Sequence, residues 1–158
     1  MTIFLAIDGV SGESTDDRHK GEIELLSWAL GVFNAGSAHV GGGAGAGKAS
    51  FTDLSMTKVT DLATPALLQA TSSGRHVARA TLTVRSPGAQ EHEPLRIALF
   101  DVQVNGCSIA SGDGDVGPRD TVTLSFGRIQ LGYTTQLPDG ADGPIGTFGW
   151  DVASGGPI

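Results

Sequence analysis

Along most of the chain apolar and polar residues alternate one by one, the period of an extended strand with one covered face. Residues 3–7 open with this pattern. It returns over residues 22–33, with Leu26, Trp28, Leu30 and Val32 on one face and Leu25, Ser27, Ala29 and Gly31 on the other. Residues 52–60 set Leu54 and Met56 against Ser55 and Thr57. Residues 80–85 set Ala80, Leu82 and Val84 against Thr81, Thr83 and Arg85. Residues 95–104 are rich in apolar residues, with Ile97-Ala98-Leu99-Phe100 unbroken, which predicts a central strand. Over residues 121–133 the inward set is Val122, Leu124 and Phe126, then Ile129, Leu131 and Tyr133. The phase slips by one at Gly127, which predicts a β-bulge or bend there. A last strand, residues 147–152, alternates Phe148, Trp150 and Val152.

One helix is predicted, with Thr64 as its cap, Pro65 at the first helical position and Gly74 as a left-handed stop. Leu67, Leu68 and Val77 are expected to rest on the sheet. Residues 9–20, 34–49, 86–93, 107–120 and 138–146 read as loops. The chain is therefore mainly β, and its 158 residues predict one domain, 1–158.

Several strands back their apolar face with short groups: Ser27, Ala29, Ser55, Thr57, Thr81, Thr83, Thr121, Thr123 and Ser125. Ordinary solvent faces use more Lys and Glu. A smooth hydroxyl-rich face suits an interface or a wall past which something slides; equally, it suits a plain β-face that takes Thr for its propensity. Composition sharpens the choice. Charged residues are 17% of the chain, against roughly 25% in ordinary domains. Either part of the surface is hidden in an assembly, or Ser, Thr and Gly wet it. The net charge of −7 opposes nucleic acid and anionic membrane as partners, since both attract clustered Lys and Arg. No apolar run approaches the length of a membrane span, so no membrane insertion is expected. The N-terminus lacks the basic region and long apolar stretch of a signal peptide. Cys107 is the single cysteine, so no internal disulfide forms.

Residues 41–48, GGGAGAGK, almost spell a phosphate loop. The magnesium-binding hydroxyl that should follow Lys48 is replaced by Ala49, and the residues beyond read as a strand where a phosphate loop needs a helix. A nucleotide hydrolase is thus a poor reading. His19, His39, His76 and His92 show no metal-ligand spacing and read as surface or loop residues. Asp113-Gly114-Asp115 lacks the later glutamate of a calcium loop. Asp16-Asp17 sit in polar loop sequence, where solvation is their expected role. No catalytic residue, cofactor or metal ligand is predicted.

The order of motifs along the chain resembles the haemolysin-coregulated (Hcp) family, the tube subunits of bacterial type VI secretion systems. The resemblance begins with Phe4-Leu5-Ala6-Ile7-Asp8-Gly9, Gly12-Glu13-Ser14 and Ile23-Glu24-Leu25-Leu26-Ser27-Trp28. It continues through Gly36-Ser37-Ala38-His39-Val40, the glycine tract to Lys48, and Asp53-Leu54-Ser55-Met56-Thr57-Lys58. Ser73-Gly74-Arg75-His76, Ala80-Thr81-Leu82-Thr83-Val84-Arg85, Val122-Thr123-Leu124-Ser125-Phe126 and Phe148-Gly149-Trp150-Asp151 complete it. It departs at Ala29 and Leu30, where the family commonly has Ser and Trp.

This likeness implies a β-barrel of two packed sheets with one flanking helix and a long extended loop. It implies a homohexameric ring, rings stacked into a tube, a contractile sheath around it, a spike at its tip and small effectors in its lumen. It implies manufacture in the bacterial cytoplasm and secretion without a cleaved signal peptide. A tube protein of a phage-tail-like contractile particle is the alternative. Carried onto this chain, the loop residues His39, Val40, Gly41, Gly42, Gly43, Gly45, Gly47 and Lys48 would touch the next ring or the adjacent subunit. Ser27 and Ala29 would face the lumen, with Trp28 turned into the core.

Overall fold

Twelve strands and one helix make up the described residues (1–36, 48–88 and 91–158) of the computed structural model. The order is β1 (Thr2–Ile7), β2 (Ile23–Leu25), β3 (Ser27–Ala29), β4 (Val32–Asn34), β5 (Ala49–Phe51), β6 (Leu54–Val59), α1 (Thr64–Ser73) and β7 (His76–Arg85). Then come β8 (Leu95–Ala110), β9 (Arg119–Ser125), β10 (Arg128–Gln136), β11 (Asp142–Asp151) and β12 (Gly156–Pro157). Ten strands form one antiparallel sheet, and β4 and β5 form a second. The mainly β class with one helix is as predicted, and several boundaries are not.

β8 is central, as its apolar-rich run predicts. β7 lies along one side of it. Along the other side β10 and β9 lie end to end, β10 on residues 95–100 and β9 on residues 103–110. The predicted slip at Gly127 is the joint between them, so residues 121–133 form two strands and not one. There the Gly127 N–H donates to the Phe100 carbonyl at 2.9 Å. A Cβ on Gly127 would lie 3.2 Å from the Asp101 Cβ, and Asp101 itself adopts a left-handed φ of 54°. Close approach at this bend explains the glycine.

Residues 22–33 differ more. They break into β2, β3 and β4 because the chain changes partner at Leu26: β2 pairs with β1, whereas β3 pairs with β6. The apolar phase flips with it. Leu25, predicted on the small-residue face, is buried, and Leu26 is 48% exposed. Trp28 packs on the core, as expected. The strand ladder is continuous from β2 through β1, β7, β8, β9 and β6 to β3. The joint between its two ends is the chain itself, held where the Leu26 N–H donates to the Thr57 carbonyl at 2.8 Å. Leu5, Ile23, Leu54, Leu82, Ile97 and Val122, from six different strands, meet in the one core this curvature encloses. Two predicted loops are shorter than expected: β8 runs on to Ala110, and β11 begins at Asp142.

The helix buries Leu67 and Ala70 and turns Leu68 outward. Gly74 closes it in the left-handed region, φ 65°. Its start corrects the sequence reading, because Thr64 makes no cap bond to the helix. The Asp61 carboxylate takes the Ala63 N–H instead, at 2.9 Å. The Thr64 hydroxyl turns into a buried ionic cluster around Lys58, which is 0% exposed. Lys58 Nζ lies 2.7 Å from Asp61 Oδ1, 2.8 Å from Asp120 Oδ2 and 3.0 Å from Thr64 Oγ1. Thr60 and Thr64 both donate to the Asp120 carboxylate. Burial alone would raise the Asp120 carboxyl, but hydrogen bonds from Lys58, Thr60 and Thr64 together hold it below the ordinary range. The cluster thus ties β6, β9 and the helix start with every charge partnered.

Candidate functional site

Pairing registers bring the short side chains together. Ser27 faces Thr57, Thr57 faces Thr121, and Thr121 faces Ser108. One step along, Ala29 faces Ser55, Ser55 faces Thr123, and Thr123 faces Gly106. Cross-strand partners share a face, so these eight residues form a two-row field across β3, β6, β9 and the far half of β8. The Ser27 and Thr57 hydroxyls bond each other at 2.6 Å. The inward neighbours Met56, Val122 and Leu124 are buried. Val59 and Arg119 follow at one end of the field, and Asp53, bonded by Asn105 at 3.1 Å, at the other. No Lys or Glu interrupts the two rows. Such a face offers hydroxyls and methyls but no long side chain that could grip or obstruct.

The predicted lumen residues Ser27 and Ala29 both lie in this field and are exposed. Thr81 and Thr83 do not belong to it; they lie on β7, and Thr83 is buried. Gly106 and Ser108 were missed, because the predicted strand stops at residue 104 and residues 107–120 read as a loop. Their alternation with inward Cys107 was the available signal.

Of the predicted contact loop, His39, Val40, Gly41, Gly42, Gly43, Gly45 and Gly47 lie outside the described residues. Lys48 is exposed, and it leads into strand β5. A phosphate loop would open a helix there. At the base of this loop, β4 carries Val32 and Phe33, which are 51% and 66% exposed. Beside them an apolar groove of about 290 Å³ is lined by Leu30, Phe51, Leu131 and Phe148 among others.

A second ionic cluster sits where residues 14–22 cross β1 and β7. The His19 ring stacks on Phe4 at 4.2 Å, and its nitrogens face Glu22 at 2.9 Å and Glu93 at 2.7 Å. Arg85 grips Asp16 through both terminal nitrogens and reaches Glu93 at 3.1 Å. That bidentate contact holds the Asp16 carboxyl at a pKa of about 2 and raises Arg85. For Glu93, burial raises the carboxyl, but His19 and Arg85 outweigh it and the net shift is down. His19 and His92 lie in loops, as read, but they are buried and not on the surface. Their rings are satisfied by carboxylates, including Asp142 at 3.0 Å from His92. Asp16 is likewise a structural partner and not a solvated loop residue.

Among the described residues no three His, Cys, Asp or Glu side chains group as metal ligands. The half-buried Cys107 thiol is pushed up by burial and then by Asp120, the reverse of nucleophile activation. Among the described residues no helix is long and apolar enough to cross a membrane.

Residues 4–133 match the family model described as "Type VI secretion system effector, Hcp". Protein hcp1 of Pseudomonas aeruginosa is 42% identical over 154 residues, covering 96% of this chain and 95% of that protein. Hcp1 from Salmonella typhimurium superposes with a TM-score of 0.81 at 36% identity, over 99% of this chain and 98% of that one. A structure described as a type six secretion system protein gives 0.93 at 26% identity, over 99% of both chains.

Proposed function

The chain belongs to the Hcp family of type VI secretion proteins, and from that premise we propose that its copies close into a six-membered ring around a channel walled by the β3–β6–β9–β8 face. The observation that carries this reading is the two-row field of short residues. Six copies side by side would give a channel wall of hydroxyls and methyls, past which a folded cargo slides without long side chains to hold it. The exposed apolar groups around β4 and β5 support burial against a neighbouring copy. So does the edge of β11, which pairs with β12 only at Trp150 and Asp151, because rings hide sheet edges between subunits.

Rings then stack into a tube, with the loop ending at Lys48 reaching the next ring or the adjacent subunit. The tube is made in the cytoplasm, is driven out by a contractile sheath behind a spike, and carries small effectors in its lumen. The wall's role is mechanical and calls for no reaction. Native mass spectrometry and electron microscopy of the purified protein test the ring. Six chain masses and rings with an open centre are expected; a monomer across micromolar concentrations refutes it.

A further inference from the structure

We propose that the contact closing the ring is charge-paired: an acidic groove beside β2 of one copy receives an arginine-bearing groove on β7, β8, β10 and β11 of the next. The inference rests on the ring reading above and names the surfaces that would make it.

The acidic groove, about 440 Å³, is lined by Glu13, Glu24 and Asp61 with Leu25, Leu26 and Val59 among others. Asp61 is committed to Lys58, and Glu13 accepts the Leu62 N–H at 2.9 Å. Glu24 is exposed and has no ion pair among the described residues. Apolar surface rims the groove: Leu26, Val59 and Leu62 are 48%, 51% and 65% exposed.

The other groove, about 480 Å³, holds Arg79 and Arg96 beside Leu131 and Phe148. Both arginines are exposed and without ion pairs among the described residues, although Arg18, Lys58, Arg85 and Arg128 all have them. Glu93, which shares a neighbouring cavity with Arg96, is already held by His19 and Arg85. Arg79 and Arg128 crowd the same Phe100 ring, at 5.3 and 5.0 Å, so two like charges face one patch of sheet. Ile145, on the arginines' face of β11, adds apolar surface, 64% exposed.

In the strand order the acidic groove sits at β2, and the arginine groove spans β7 to β11. A head-to-tail contact sets carboxylates against guanidiniums and covers both apolar rims, and it is the kind of contact that closes a ring.

Glu24→Arg and Arg96→Glu test the pairing by sedimentation velocity and native mass spectrometry, with circular dichroism to confirm folding. Each swap alone should raise the concentration needed for rings at least tenfold. Mixed in equal amounts the two variants should recover rings, because each reversed groove then meets a complementary one. If wild type forms rings and either folded swap does so equally well, or the mixture stays apart, the charge pairing is overturned and the ring stands. If wild type never assembles, the ring reading falls and this contact with it. Should either swap fail to fold, Glu24→Gln and Arg96→Gln must still weaken assembly. Wild-type rings must also loosen between about 0.1 M and about 1 M salt, over which the screening length falls from about 10 to about 3 Å; rings indifferent to all three overturn the proposal.

Discussion

Lys58→Met removes one charge from a site that water does not reach. The side chain is 0% exposed and so is its partner Asp120. Met fills much of the same volume, so the loss is electrostatic, not a cavity. Asp120 would keep its bonds from Thr60 and Thr64 but lose the ammonium 2.8 Å away. Breaking a buried pair on one side costs about 3–5 kcal/mol, and with a urea slope of about 2 kcal/mol/M the midpoint should fall by about 1.5–2.5 M. The assay is urea unfolding at equal protein concentration, followed through Trp28 and Trp150, both packed on the core. Lys58→Met with Asp120→Asn removes the fully buried orphan charge, leaves only Asp61 at the cluster's rim without its ammonium, and should regain part of the loss. In wild type the lowered Asp120 carboxyl contributes stability above about pH 4 that fades as pH falls further. In Lys58→Met burial acts unopposed by the ammonium, so the defect should shrink on acidification. A midpoint shift under about 0.5 M, or a double variant no better than the single, would refute the reasoning.

A Cβ on Gly12 would stand 2.3 Å from the Glu22 carbonyl oxygen and 2.8 Å from Ile23 Cα, so Gly12→Ala must push backbone apart. Calorimetry should record a loss of about 1–3 kcal/mol, or roughly 3–10 °C in Tm; an unchanged Tm contradicts the packing. Asp16, with its pKa of about 2, contributes stability above about pH 4 that is lost as pH falls toward 2. Arg85→Gln should therefore flatten the dependence of Tm on pH over that interval, and an unaltered slope would show that Arg85 is not the cause. Deleting residues 41–47 should leave the far-ultraviolet circular dichroism and Tm near wild type while preventing higher-order assembly by light scattering. Loss of the fold would show that the segment belongs to the core.

Strand type was legible wherever one face alone is covered. The slip at Gly127 was readable because the inward set changes parity there, and a bend was the physical reason. Leu25-Leu26 defeated the same logic. Two adjacent leucines fit either phase, and only the switch of partner from β1 to β6 decides which goes inside. Lys58 follows Leu54 and Met56 at the inward period, yet its charge argues outward; Asp120, 62 positions later, settles it and no local pattern announces it. Thr64 misled for the same reason, since its hydroxyl serves that cluster and not the helix end. The burial of His19 and His92 was not readable from their loops because carboxylates that satisfy them come from distant sequence, Glu93 and Asp142. The short-residue field was half legible. Its members on β3, β6 and β9 stood out as short groups, but the registers alone separate them from Thr81 and Thr83 and add Gly106 and Ser108.

Whether the field of short side chains faces a channel can be seen by labelling it. Ala29→Cys in a Cys107→Ser background, coupled to a maleimide gold cluster and imaged in assembled particles, should place electron density inside the central opening of every ring. Gold on the outer circumference, or between neighbouring subunits, would contradict the account.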